Sequence, residues 1–137
     1  MKAKHFKIHE LVPSKVYTAR GEKAWSLIDP RLIIMIDELR NHFGRATINN
    51  YFWGGEREWS GLRTPDSPYF SAYSQHTFGR AVDIIFNDIS ADDARKEIIA
   101  KPEKWLDIVP SITLETDIDW FHVDIRNGNL GINTFKP

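Results

Sequence analysis

The chain has 137 residues, 42% hydrophobic and 27% charged, with a formal net charge of −1. That length holds one core rather than two, and the balanced charge gives no bulk attraction to nucleic acid or to an anionic membrane surface. There is no cysteine, which excludes a disulfide framework.

Met1–His9 carries Lys2, Lys4 and Lys7, but no apolar run of signal-peptide length follows. The densest apolar stretch, Leu32–Ile36, is too short to span a bilayer. The expectation is a monomer made in the cytoplasm without a signal peptide and without membrane insertion.

In chain order, Lys7–Val12 predicts a short helical turn stopped at Pro13. Asp29-Pro30 is a helix start, an N-cap acid before a proline at the first helical position. Leu32, Met35, Ile36, Leu39 and Phe43 follow at helical spacing, and Gly44 supplies the stop. Ala46–Phe52 predicts a strand. Trp53–Ser74 has neither helical nor strand period and is rich in Gly, Ser and Pro; so long an irregular segment is usually functional. Arg80–Phe86 predicts a strand with Ala81, Asp83 and Ile85 on one face and Val82, Ile84 and Phe86 on the other. Ser90 caps a helix running to Lys101, with Asp93 in the capping position and Pro102 as the stop. Ile112–Glu115 and Trp120–Ile125 predict two strands joined by the turn Thr116–Asp119, and Asn127-Gly128 is a further turn. The sum is a single α+β domain over 1–137, a small, mostly antiparallel sheet with helices packed on one side.

Three residues have metal-ligand chemistry in contexts awkward for a plain core. His76 ends the long polar loop, seven residues before Asp83. Asp83 sits in a strand of Ala, Val and Ile, where a bare carboxylate would cost several kcal/mol or more. Alternation puts His122 on one face with Trp120 and Asp124, while Phe121, Val123 and Ile125 turn to the core. Two imidazoles and a carboxylate make a zinc shell with a fourth position open, as hydrolytic zinc sites require. Spacing alone leaves bland roles open: a hydrogen-bonded strand aspartate and satisfied core histidines. The facial triad of non-haem iron enzymes ranks below zinc, because its His and Asp usually lie two residues apart.

The run Ser74-Gln75-His76-Thr77-Phe78-Gly79-Arg80-Ala81-Val82-Asp83-Ile84 resembles the S-x-H-x-x-G-x-A-x-D-[IL] signature of the zinc D-alanyl-D-alanine carboxypeptidases. Their relatives include phage L-alanyl-D-glutamate endolysins and the hedgehog signalling domain. Trp120-Phe121-His122-Val123-Asp124 is similar to the second motif, W-x-H-x-D, and Phe6–Leu11 to the lead-in of phage-type members. The resemblance implies Zn²⁺ on His76, Asp83 and His122, a hedgehog-like fold, and hydrolysis of a peptide bond in peptidoglycan stem peptides. It further implies a phage or prophage lysis protein that reaches the wall after holin-dependent release. A zinc-containing binding module without turnover is the alternative.

Within the first motif, Gly79 permits the tight path from loop histidine to strand aspartate, and Ala81 keeps the strand face small beside the ion. Ser74, Gln75 and Asp124 are candidates for orienting the ligands or for local hydrogen bonding alone. Arg63, in Ser60-Gly61-Leu62-Arg63, resembles the family's S-G-x-R segment, which implies a cation facing the developing oxyanion. The general base has two claimants. Asp119 stands three residues before His122, as in carboxypeptidase members. With Thr116–Asp119 as the loop, Glu115 lies across from Trp120 and diagonal to His122. Asp117 is a distant third. Trp53, Trp59, Tyr69 and Tyr73 line a substrate groove or pin the loop, and His5, His9 and His42 take surface or capping roles.

Overall fold

The computed structural model describes residues 1–137. It is one α+β domain with a five-stranded mixed sheet. A 3₁₀ turn at Ile8–Glu10 leads into α1 (Ser14–Arg20), a second 3₁₀ segment (Gly21–Leu27) and α2 (Pro30–Phe43). The short strand β1 (Ala46–Thr47) precedes the long loop, which ends in a 3₁₀ turn at Gln75–Phe78 and runs into β2 (Ala81–Phe86). Then come α3 (Ala91–Ala100), α4 (Glu103–Leu106), β3 (Ser111–Glu115), β4 (Phe121–Asp124) and β5 (Gly131–Phe135). No helix is long and apolar enough to cross a membrane.

The sheet order is β1-β2-β4-β3-β5, antiparallel throughout except for the parallel β3–β5 pair. Val82, Ile84 and Phe86 of β2, Phe121 and Val123 of β4, and Ile112 and Leu114 of β3 share one core cluster with Leu32, Ile36, Leu39 and Phe43 of α2 and Ile98 of α3. The helices therefore cover one face. Asp83, His122, Asp124, Thr113 and Glu115 alternate onto the other.

The expected N-caps form, although Asp93 returns no side-chain bond to Ser90 N and so does not complete a capping box. The Asp29 side chain accepts from Arg31 N at 2.9 Å, and Ser90 Oγ accepts from Asp93 N at 3.0 Å. Several expectations change. The strand expected over Ala46–Phe52 is only two residues long, because its further backbone donors find partners elsewhere. Asn49 N donates to Glu10 O, and Asn50 N and Tyr51 N both donate to Arg57 O. The fully buried Asn49 side chain also bridges Val12 O and Ser60 N. Tertiary partners outweigh the strand propensity of Ile48, Tyr51 and Phe52.

Pro13 and Pro102, expected as stops, are also starts. They stand at the N-caps of α1 and α4, where a missing N–H costs nothing. The helices they open had no clear period: α1 buries no residue and α4 buries only Trp105. β5 was likewise unmarked, since its parallel pairing with β3 is a non-local event that leaves its own residues only partly buried.

Candidate metal centre

The polar face of the sheet carries one row that crosses four strands. Asp83 on β2 pairs with His122 on β4, His122 pairs with Glu115 on β3, and Glu115 pairs with Phe135 on β5. All four line one cleft of about 720 Å³, within the range of small-molecule and peptide sites. The expected register is thereby corrected: Glu115 lies directly opposite His122 rather than diagonal to it. The hairpin loop is wider than Thr116–Asp119. Thr116 N bonds Phe135 O, Asp117 takes a left-handed φ of 60°, and Arg95 ties the carbonyls of Ile118 and Trp120 to α3.

His76 comes to the row from the loop. Ser74 Oγ accepts from His76 N at 3.2 Å and caps the 3₁₀ turn. Gly79 then reverses the chain at φ 69°, pressed so close to Leu27 that an added Cβ would sit 2.0 Å from the Leu27 carbonyl oxygen. A glycine is required there on both counts. Gly61, similarly close to Leu11 O, presents its carbonyl to His76 Nδ1 at 2.8 Å. That bond leaves Nε2 free and aimed at the row. Beyond the end of β1, Asp83 N donates to Ser60 O at 2.7 Å, so the loop takes over the edge of β2.

His76, Asp83 and His122 are all buried, and one donor atom from each lies within 4.8 Å of the others. Asp83 Oδ1 stands 2.9 Å from His122 Nδ1 and 3.5 Å from His76 Nε2. Donors on a tetrahedral ion with bonds of 2.0–2.2 Å are about 3.3–3.6 Å apart. Both separations from Asp83 Oδ1 thus lie within a few tenths of an ångström of that spacing, and the three residues could hold a metal ion. The other ring nitrogens are already held, His76 Nδ1 by Gly61 O and His122 Nε2 by Asp124 Oδ2 at 2.8 Å. This is how an imidazole ligand is oriented from behind.

Charge alternates through the network. Arg126 grips the fully buried Asp124 with two guanidinium nitrogens, at 2.7 and 2.5 Å. Arg63 Nη2 donates to Asp83 Oδ2 at 3.1 Å, and its Nε donates to Trp59 O at 2.8 Å. Burial alone would raise Asp83, but hydrogen bonds from His122 and His76 hold it well below the usual carboxylate range. Burial opposes a charge on His122, yet the bonds to Asp124 and Asp83 push it up to about 9. The site is thus built to hold positive charge between its carboxylates. A bound cation satisfies the same demand as the proton.

Glu115 is half-buried, and its charge acts on the guanidinium groups of Arg63 and Arg126. Asp119 is exposed and does not line the cleft; Asp117 is exposed and pairs with Lys136 at 3.6 Å. Trp59, Tyr69 and Tyr73 line the cleft, but Trp53 does not. It packs edge-on against His9, which also stacks on Phe52 at 4.0 Å. His9 is therefore a buried aromatic partner, not a surface residue. His42 bonds Glu97, and His5 is exposed.

The cleft also includes Arg57, Arg126, Trp120, Gln75 and Phe135. Gln75 and Trp120 stand in the two motifs beside the ligands, whereas Arg57, Arg126 and Phe135 carried no motif, and of these three only Arg126, two residues beyond Asp124, had a sequence neighbour that could have flagged it. Comparison with protein-family models, curated proteins and solved structures finds no match.

Proposed function

We propose that this chain is a zinc-dependent peptidase that hydrolyses a peptide bond in peptidoglycan stem peptides, on a hedgehog-like peptidase fold. The observation that carries the proposal is the convergence of His76, Asp83 and His122 at the floor of one cleft, with Glu115 and Arg63 on its walls. Zinc held by these three residues would supply a Lewis acid that polarises a substrate carbonyl and acidifies a water.

The remaining roles fall to the chain's own side chains. Glu115 takes the proton of the attacking water and returns it to the leaving amine as the C–N bond breaks. It is preferred to Asp119 because it faces His122 across the ladder inside the cleft, whereas Asp119 lies outside. Arg63 orients Asp83 and presents its positive charge to the oxygen that becomes negative in the transition state. Asp124, clamped by Arg126, fixes the His122 ring. In this reading the protein belongs to phage or prophage lysis and acts on the wall.

Mass spectrometry of purified muropeptides incubated with zinc-loaded and chelated protein tests the proposal. The expected result is a zinc-dependent loss of one stem-peptide fragment. Identical spectra in both arms would sink the peptidase reading.

A further inference from the structure

Three guanidinium groups line the cleft, those of Arg57, Arg63 and Arg126. Two of them are committed to carboxylates of the network, Arg63 to Asp83 and Arg126 to Asp124. Arg57 is not. Its Nε donates to Ile48 O at 3.1 Å, and no carboxylate forms an ion pair with it. Glu56 and Glu58 line the same cleft, but Glu56 is exposed and Glu58 accepts from Ser14 N at 2.9 Å.

The position of Arg57 is fixed from three sides. Its N donates to Asn50 Oδ1 at 2.8 Å, and its carbonyl accepts from Asn50 N at 2.9 Å and Tyr51 N at 3.1 Å. With Nε also anchored, the two terminal nitrogens form a pre-oriented fork that has no partner within the protein. Burial disfavours its charge, and of the acids only Asp83, itself already bonded, opposes that effect. A half-buried cation without a counter-charge is costly in the free protein, and an anion in the cleft removes the cost. The geometry of a guanidinium fork matches a carboxylate, which it takes through two parallel hydrogen bonds.

We propose that Arg57 is the specificity anchor of the cleft, binding a carboxylate of the substrate through its free fork, so that the substrate is an acidic peptide. The inference rests on the peptidase reading in taking that peptide to be a stem peptide. In a stem with lysine at its third position, the kind used in the test, two carboxylates are then available, the one on the D-glutamate residue and the one at the C-terminus.

The test uses the zinc-loaded full chain and three muropeptides: unmodified, amidated at D-glutamate, and amidated at the C-terminus. Binding is followed by calorimetry and cleavage by mass spectrometry. One amidated form should bind about tenfold or more weakly, as expected when a charge-assisted fork loses its partner. Arg57→Ala should lose the same factor on the unmodified peptide and almost nothing further on that amidated form. KM should rise while kcat holds, and Arg57→Lys should recover only part, keeping the charge without the fork. The anchor is overturned if neither amidation weakens binding, or if the losses from amidation and from Arg57→Ala multiply. The amidation arms use the unaltered protein, so they decide the matter even if a variant misfolds. Carboxylate-dependent binding without cleavage would overturn the peptidase reading and keep the anchor. Cleavage indifferent to amidation would do the reverse, and binding of no muropeptide would overturn both.

Discussion

The two faces of the sheet are written by alternate residues of the same strands, yet they are held by different physics. On one face Val82, Ile84, Phe121, Val123, Ile112 and Leu114 are at most 1% exposed and join the helices in one apolar cluster. Each such side chain contributes roughly 1.5–3 kcal/mol through the water it excludes, whatever its neighbour's precise angle. On the other face Asp83, His122 and Asp124 are almost as buried, but nothing apolar compensates them. They persist because each is bonded to the next, from Arg126 through Asp124 and His122 to Asp83 and Arg63. The apolar face is tolerant of detail and insensitive to pH; the polar face is directional, and each member is needed by two others. The proposed exchange of a proton for a metal ion calls for the second kind of face.

Variants should separate the two. The largest effect is expected for Glu115→Gln, which should lower the zinc-dependent cleavage rate by roughly 10²- to 10⁴-fold while metal stoichiometry stays at that of the unaltered protein. Asp119→Asn should leave the rate within a small factor, and the opposite pattern in the same assay would transfer the base to Asp119. On the apolar face, Phe121→Ala should destabilise the fold by about 3–5 kcal/mol in denaturant unfolding. The protein that remains folded should keep its zinc affinity; a parallel loss of affinity would mean that the two faces are energetically coupled.

Asp124→Asn should weaken zinc binding by about 10- to 100-fold, measured by competition with a chelating dye. The His122 ring would then have lost the carboxylate behind it. No change in affinity would show that Asp124 serves Arg126 alone.

The smallest effect expected is the pH response of the metal-free protein, and its sign differs at the two ends. His122 is raised from its usual 6.5 to about 9, so its contribution is complete below 6.5 and is lost as pH rises through about 9. Asp83 and Asp124 are lowered from 3.8, so theirs is complete above 3.8 and is lost as pH falls below it. Thermal melts without metal should therefore be highest between those limits, and zinc affinity should rise with pH as His122 gives up its proton. A flat profile from pH 6 to 9 would contradict the charge-alternating network.

Much of the scaffold was legible in the residues. Asp29-Pro30 and Ser90 start helices through local capping chemistry, and the alternation in β2 separates Asp83 from Val82 and Ile84 without any tertiary knowledge. The candidate ligands His76, Asp83 and His122 were also legible, because an aspartate inside an apolar strand is costly enough to demand a partner. Tertiary structure alone decided the rest. β1 stops short because Asn49 and Asn50 bond Glu10 and Arg57, partners that no local propensity encodes. The register that sets Glu115 opposite His122 follows from how β5 pairs with β3 and how Arg95 holds the hairpin loop, both long-range events. Arg57 could not be distinguished from any other loop arginine by its neighbours in sequence. Its lack of a carboxylate partner is a property of the folded cleft, where distance in space, not position in the chain, assigns counter-charges.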